Sequence, residues 1–210
     1  MESRHITKEI YIASMNMRGK WAEVPPGLKK INVTSAQAKL SKYRLAFSPM
    51  TEIEGGYKEF FCFENYWQSG KRYEGLDDPE NVEKQLEWWK KQTTGRRRYP
   101  LGKGKKVKHA KFPDFTEFLT YIPSRKQVYV PEYHNLIKDN PVLTELKTDE
   151  TTSYVVYDFD GPRTEDGEPT FEKVTLEMLI DKLNDPRHPF GHGYIVAAAI
   201  AGIDIKKYNI

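Results

Sequence analysis

The stretch of residues 63–72 holds the densest set of chemically useful side chains in this chain. It reads Phe-Glu-Asn-Tyr-Trp-Gln-Ser-Gly-Lys-Arg. If the stretch is helical, Glu64, Gln68 and Lys71 follow one another at i, i+4 and i+7 on one face. An acid, an amide and a cation beside two aromatic rings can together hold a sugar, a phosphate and a planar ring.

A glycine-led cationic segment follows at residues 95–101, Gly-Arg-Arg-Arg-Tyr-Pro-Leu. It belongs to a longer basic tract, residues 91–111, with nine Lys or Arg residues and no acid. A tract of one sign at this density attracts phosphate. The alternative is a solvated surface loop.

Composition describes an ordinary globular protein. The 210 residues are 38% hydrophobic and 30% charged, which suits one domain with a real core. Aromatic residues make up 13%, so disorder over most of the chain is not expected.

The single cysteine and the short apolar runs indicate in which cellular compartment the protein is expected. The single cysteine, Cys62, excludes a disulfide or a cysteine-based metal site within one chain, and its phenylalanine neighbours predict a packed thiol rather than a nucleophile. The longest apolar run, residues 194–203, is ten residues and too short to cross a bilayer, and residues 1–5 contain no apolar signal core. We therefore expect a cytoplasmic, reducing location and no membrane partner. No zinc-ligand spacing occurs, and we expect no metal or cofactor.

Strands and helices can be placed from periodicity. β-formers predict strands at residues 8–13, 29–34, 42–47 and 154–159. Helices are predicted after the 63–72 stretch from Asp77 or Asp78 to Gly95, at 114–122, at 175–184 with Thr175 as the cap, and at 193–202. Residues 125–147 are mixed, because Pro131 and Pro141 interrupt periodicity. The pattern predicts an α+β fold, a mainly helical single domain with a small sheet.

Two common classes of enzyme are disfavoured. No Gly-x-Ser-x-Gly elbow is present, and Gly95 and Gly102 are too far apart for a Walker-type phosphate loop. The segment Gly-Lys-Gly at 102–104 also lacks the Ser or Thr that would hold magnesium. A kinase or NTPase is therefore not expected.

Several segments, in order, resemble the NADAR (YbiA-like) family. Residues 63–71 resemble its Glu-His-Tyr-(aromatic)-Gln-Ala-x-Lys helix, with Asn65 in place of the usual His. Residues 95–101 resemble its Gly-Arg-x-Arg-x-x-Pro-Leu region, one residue shorter. Residues 47–50, 140–146, 158–161 and 191–199 are similar to further family segments. The resemblance implies one NADAR-like domain spanning residues 1–210. Within it, residues from about 1 to 40 form an N-terminal extension, and residues from about 162 to 189 form an insertion.

The resemblance implies an activity. NADAR members are N-glycosidases that hydrolyse a ribosyl C–N bond in riboflavin-pathway intermediates or in ADP-ribosylated guanine of nucleic acid. It implies a hydrolase whose partner is a phosphorylated ribosyl small molecule or ADP-ribosylated nucleic acid. The expected catalytic residues are Glu64, Asp158 and Asp160. The expected substrate-binding residues are Tyr66, Trp67, Gln68, Lys71, Arg96 and Arg98.

The chemistry of these residues agrees with that activity. Breaking the C–N bond builds an oxocarbenium-like cation, which a carboxylate stabilises while it or a neighbour activates water. Arginine gives phosphate bidentate contacts, and aromatic rings stack on a base. We expect Glu64, Trp67 and Arg96 to share one concave site.

Each assignment has a structural alternative. Glu64 could be a solvated acid paired with Gln68 or Lys71, and the two aromatic residues could be core. The arginines could favour the end of the preceding helix, and the two aspartates could simply end a strand. At the level of the whole chain, the alternatives are a non-catalytic nucleic-acid- or nucleotide-binding protein that uses residues 91–111, or a structural protein that keeps the fold.

Overall fold

The computed structural model of the chain describes residues 8–208 and shows an α+β fold with a small mixed sheet, as predicted. The strands are β1 Ile10–Ser14, β2 Lys29–Asn32, β3 Lys71–Tyr73, β4 Val107–Ala110, β5 Tyr154–Asp158 and β6 Phe171–Lys173. The α-helices are α1 Lys42–Phe47, α2 Phe63–Ser69, α3 Pro79–Lys90, α4 Tyr121–Ser124, α5 Val130–Ile137, α6 Pro141–Thr148, α7 Leu176–Asn184 and α8 His192–Ile200. Within residues 8–208 no helix is both long and apolar enough to cross a membrane.

The chain divides into two compact units. The first unit comprises Met1–Ser48 with Val130–Ile210, and the second comprises Pro49–Tyr129. The first unit is described over residues 8–48 and 130–208, and the second throughout. One domain over residues 1–210 stays a prediction.

The first unit is built on a four-stranded sheet in the order β2-β5-β1-β6. Strands β1 and β2 both run parallel to β5, and β6 runs antiparallel to β1. Every residue of β5 is buried, as a strand covered on both faces requires. The predicted strands at 8–13, 29–34 and 154–159 are confirmed. The segment expected to be an N-terminal extension thus supplies two strands of this sheet, and the expected insertion supplies β6 and α7.

Helix α8 is buried along its whole length and approaches the end of β5 closely. The Gly193 N–H donates to Asp158 Oδ2 at 2.8 Å. A Cβ at position 193 would lie 2.6 Å from the Asp158 Cβ, and one at Gly191 would lie 2.4 Å from Asp158 Oδ2. Glycine at both positions therefore allows the helix to start against this strand.

The predicted helix at 175–184 and its cap are confirmed by α7. The hydroxyl of Thr175 accepts a hydrogen bond from the Met178 N–H at 3.2 Å. Leu179 and Leu183 are fully buried, while Leu176 and Ile180, also predicted to be buried, are only half-buried. The buried apolar stripe of α7 is therefore narrower than the i, i+3, i+4, i+7 spacing suggested.

The second unit combines α2, α3 and α4 with the antiparallel pair β3 and β4. Helix α3 begins as predicted, since Asp78 accepts from the Asn81 N–H at 3.1 Å and Pro79 occupies the first turn. It ends at Lys90, before Gly95. Trp89 is fully buried, but Val82 and Leu86 of the predicted stripe are half-buried.

Two predicted elements are wrong. Residues 42–47 form helix α1 and not a strand, and the Leu45 N–H donates to the Ser41 carbonyl at 2.9 Å. Leu45 is 51% exposed, so the apolar alternation that suggested a strand does not mark a buried face. Residues 114–120 are not helical. Leu119 exchanges backbone hydrogen bonds with Ala110, and α4 starts only at Tyr121.

The two prolines of the mixed region stand in different places. Pro141 is the first residue of α6, capped by Asn140, where the missing N–H of proline is not needed. Pro131 is the second residue of α5, which follows the π-helical stretch Arg125–Tyr129 without a break. Pro131 is therefore not at a helix start.

Replacing Thr175 with alanine should lower the free energy of unfolding by about 1 kcal/mol, because the first turn of α7 loses its side-chain acceptor. Urea denaturation followed by circular dichroism measures the change. Thr175→Ser keeps the hydroxyl and is the matched control. A loss of equal size in the serine variant would contradict a capping role.

Candidate functional site

Helix α2 carries Glu64 on its more accessible side. The helix begins after Cys62, and Phe63 and Tyr66 point into the core with no exposure. Glu64 is half-buried, and its Oε1 accepts a hydrogen bond from Gln68 Nε2 at 2.7 Å. The carboxylate is therefore oriented by the buried amide one turn later.

The helix ends earlier than the sequence predicts. Its last residue is Ser69, and Lys71 lies on strand β3 and not on the helical face with Glu64 and Gln68. Gly70 separates the two elements, and a Cβ there would lie 2.2 Å from the Phe112 ring. The close approach of this ring leaves room only for glycine at position 70.

The two sequence motifs are joined by the side chain of Asn65. This residue is fully buried, and its Nδ2 donates to the Thr94 carbonyl at 3.0 Å. Its Oδ1 accepts from the Arg96 N–H at 2.8 Å. A Cβ on Gly95 would lie 2.9 Å from the Met50 carbonyl oxygen, so only glycine fits between these bonds. The start of the arginine segment is thus held against α2.

Tyr66 and Trp67 of α2 differ in environment. Tyr66 is a core residue, with ring centroids of Phe60 and Phe112 at 5.9 and 5.4 Å. Trp67 is half-buried and stacks on Phe112 with a centroid distance of 5.5 Å and an interplanar angle of 13°. Lys71 Nζ lies 5.8 Å from the centroid of the Trp67 ring. The core alternative therefore applies to Tyr66, and Trp67 is in contact with a cation.

A pocket of about 150 Å³ lies beside Trp67, within the second unit. Its lining side chains that carry charge, hydroxyl or ring groups are Trp67, Lys71, Lys108, His109, Tyr121 and Ser124. Glu64, Gln68, Arg96 and Arg98 do not line this pocket. Of the three residues expected to share one concave site, the pocket takes in Trp67 alone.

Sequence reasoning did not assign His109 and Tyr121 to a pocket. They reach it because β4 pairs with β3 and because α4 begins at Tyr121. Lys108 and His109 belong to the basic tract, but the sequence Val-Lys-His-Ala at 107–110 has no alternation that would predict a strand. Non-local strand pairing is what brings these groups together.

The arginines are exposed. Arg96, Arg97 and Arg98 are all on the surface, whereas the following Tyr99 is buried. Within residues 8–208, neither Arg96 nor Arg98 forms an ion pair. In contrast, Lys108 at the pocket is 2.8 Å from Asp77 Oδ2, an ion pair that lowers the pKa of Asp77.

The two aspartates predicted to be catalytic lie in the first unit. Asp158 is buried, and its Oδ1 accepts from the Phe159 N–H at 2.7 Å, while Oδ2 accepts from Gly193. His192 Nδ1 lies 3.3 Å from the same Oδ2. Asp160 is exposed and lines an open depression formed largely by residues 159–165 and 185–189. Asp158 thus has a structural role at the start of α8, and a catalytic role for either residue stays a prediction.

The thiol is enclosed as expected. Cys62 is fully buried, and this burial raises its pKa to about 11. A thiol with so high a pKa is protonated at neutral pH and is not a nucleophile.

Comparison of the chain with models of protein families, with curated proteins and with solved structures finds no match.

Replacing Asn65 with alanine should lower the free energy of unfolding by about 2 kcal/mol, since it leaves the Arg96 N–H and the Thr94 carbonyl without their buried partner. Urea denaturation provides the measurement. Asn81→Ala is the control, because that amide bonds to Asp78 at the surface. Similar losses in both variants would contradict the importance of the buried amide.

Proposed function

We propose that this chain is an N-glycosidase that hydrolyses a ribosyl C–N bond in a phosphorylated, nucleotide-like substrate. The observation that carries the proposal is the pair of hydrogen bonds through Asn65, which holds the start of the arginine segment against the helix that bears Glu64. A carboxylate and phosphate-binding cations on one support are what such a reaction requires. The order of motifs that resembles the NADAR family supports the same activity.

In the proposed reaction, water adds to the ribosyl carbon as the C–N bond breaks. The bonding electron pair leaves with the nitrogen, and the proton lost by water is returned to that nitrogen. Glu64 accepts the proton of the attacking water and faces the positive charge that develops on the sugar. The hydrogen bond from Gln68 fixes the direction of one carboxylate oxygen.

The substrate-binding residues have separate tasks in this proposal. Lys71 contacts the substrate's phosphate beside the Trp67 ring, and Arg96 and Arg98 attract the anion from solvent. One face of the Trp67 ring stacks on Phe112, and the Tyr129 ring contacts it at a centroid distance of 4.9 Å, so only the remaining indole surface is open to a ligand. Tyr66 supports α2 from the core.

Replacing Glu64 with glutamine should lower kcat by at least about 100-fold, because the shape is kept and the charge that favours the cationic transition state is removed. Hydrolysis is followed by mass spectrometry on an oligonucleotide that bears ADP-ribosylated guanine and on a pyrimidine ribosylamine phosphate. Glu80→Gln, a surface acid of α3, is the matched control.

Two results would decide against the proposal. Cleavage of neither substrate by the parent protein would exclude this activity for both substrate classes. Unchanged turnover in Glu64→Gln would remove Glu64 from the reaction, and Asp160→Asn would then be the variant to measure.

The basic tract favours a second candidate, nucleic-acid binding without catalysis. Lys103, Lys105 and Lys106 are exposed and form no ion pair within residues 8–208. Exposed cations close together along the chain suit a phosphate backbone.

Changing Lys103, Lys105 and Lys106 to glutamine should reduce the slope of log affinity against log salt by about 2 to 3 for an oligonucleotide, because fewer counterions are released. Fluorescence anisotropy across a salt series measures the slope. The control changes Lys42, Lys84 and Lys90, each of which is paired with an acid. Parallel slopes for parent and variant would exclude the backbone contact.

A further inference from the structure

The pocket beside Trp67 is enclosed by cationic groups from two paired strands. Strand β3 pairs with β4 so that Lys71 stands opposite Ala110 and Arg72 opposite His109. Lys71, Lys108 and His109 line the pocket, and among residues 8–208 no acidic side chain lines it. The lining therefore favours an anion.

Strand β3 also carries a buried charge, Arg72. Arg72 is only 4% exposed, and its Nη1 donates to the carbonyls of Ser69 and Lys71 at 2.7 and 3.1 Å. Its Nη2 donates to the Lys111 carbonyl at 3.1 Å. Within residues 8–208 it forms no ion pair with a carboxylate.

This guanidinium keeps its charge at neutral pH. Burial lowers the pKa of Arg72 to about 10, which is still well above 7. Hydrogen bonds to carbonyls satisfy the N–H groups without cancelling the net charge. Because the surroundings are of low dielectric, the field of this charge is weakly screened. Arg72 stands opposite His109, so this charge is close to one of the residues that line the pocket.

Burial and the neighbouring charges affect the pKa of His109. Burial lowers its pKa, and the charges of Lys108 and Arg72 lower it further, while Asp77 acts in the opposite direction. The imidazole ring is in edge contact with Phe118 at a centroid distance of 4.3 Å. A neutral imidazole at pH 7 can donate an N–H to an anion.

We propose that this pocket binds a phosphate group, with Lys71 and His109 as the side chains that donate to its oxygens and with the buried charge of Arg72 opposite His109. The hydroxyl of Tyr121 is a further donor on the lining. Lys108 contributes less, since Asp77 already pairs with it. This assignment deepens the proposed function and rests on it for one point only, that the phosphate belongs to the substrate.

The size of the pocket limits what enters it. About 150 Å³ is below the roughly 300–1,000 Å³ of pockets that enclose whole ligands. One phosphate group fits, and the rest of a nucleotide-like molecule stays outside. The pocket thus anchors one end of a ligand.

Titration calorimetry with inorganic phosphate tests the site on the full chain. The parent should bind, and Lys71→Gln should weaken binding by about tenfold or more, because a charge-assisted hydrogen bond is lost. Lys84→Gln removes a surface lysine of α3 outside the pocket and should bind like the parent. Equal weakening in both variants, or no binding by the parent, would overturn the proposal.

A second measurement does not depend on Lys71 variants folding. Histidine NMR titration of the parent, with His109 assigned from the His109→Gln spectrum, should show the pKa of His109 rising when phosphate is present, since an anion favours the charged ring. No change in the pKa of His109 at saturating phosphate would place the anion elsewhere and overturn the proposal.

The source of the phosphate is separated by comparing ligands. Adenosine monophosphate should compete with inorganic phosphate for the pocket, and adenosine should not. Competition by adenosine equal to that of the nucleotide would contradict recognition of phosphate. Binding of inorganic phosphate without competition by the nucleotide would overturn the role as an anchor for a larger ligand.

The pocket and the proposed activity can fail separately. Glu64→Gln should bind phosphate like the parent while losing hydrolysis. A parent that hydrolyses its substrate but binds no phosphate at Lys71 overturns the pocket alone. A parent that binds phosphate but cleaves neither test substrate overturns the activity alone.

Discussion

The buried amide of Asn65 is the interaction on which the candidate site depends. Its nitrogen and its oxygen bond to backbone groups on either side of Gly95, so the amide has one orientation and the segment has one place. The close approach of Gly95 to the Met50 backbone removes the room for any larger residue. An exposed arginine segment would otherwise be free to move as a surface loop. Because Asn65 bonds to the Thr94 carbonyl and to the Arg96 N–H, the start of the arginine segment stays next to α2, the helix that carries Glu64.

The cations of the second unit fall into two physical classes. Arg96 and Arg98 are exposed, so salt screens them, and they act mainly by drawing anions toward the surface. Lys71 and Arg72 are half-buried and buried, and their charges are less screened. The exposed cations suit the first approach of a phosphorylated ligand to the surface. The less screened cations suit holding the ligand once it is bound. A ligand that contacts both classes of cation would bind more weakly as the salt concentration rises. It would keep part of its affinity, because the charges of Lys71 and Arg72 are less screened.

Acidic residues are used in two ways in the described part of the chain. Asp158 is buried, and backbone N–H groups donate to both of its oxygens, one of them from Gly193 in the first turn of α8. Such bonds stabilise a carboxylate where it is and join β5 to the buried helix. Glu64 is half-buried and has Gln68 as a side-chain partner, which leaves part of the carboxylate accessible. These different environments explain why we assign the reaction to Glu64 and the folding role to Asp158.

The sequence by itself determined the elements whose signals are local. The buried strand at 154–158, the capped helices α3 and α7 and the apolar α8 follow from periodicity, capping side chains and proline, all of which act between near neighbours. The α+β class was predicted in the same way, whereas one concave site for Glu64, Trp67 and Arg96 was expected from the order and spacing of the two motifs. Only the tertiary structure decided that residues 42–47 are helical and that α2 ends at Ser69, so that Lys71 lies on a strand. It also decided that His109 shares a pocket with Trp67. The strand position of Lys71 and the place of His109 in the pocket go with Phe112 against Gly70 and with the pairing of β3 with β4, contacts between residues far apart in the chain that no local pattern encodes.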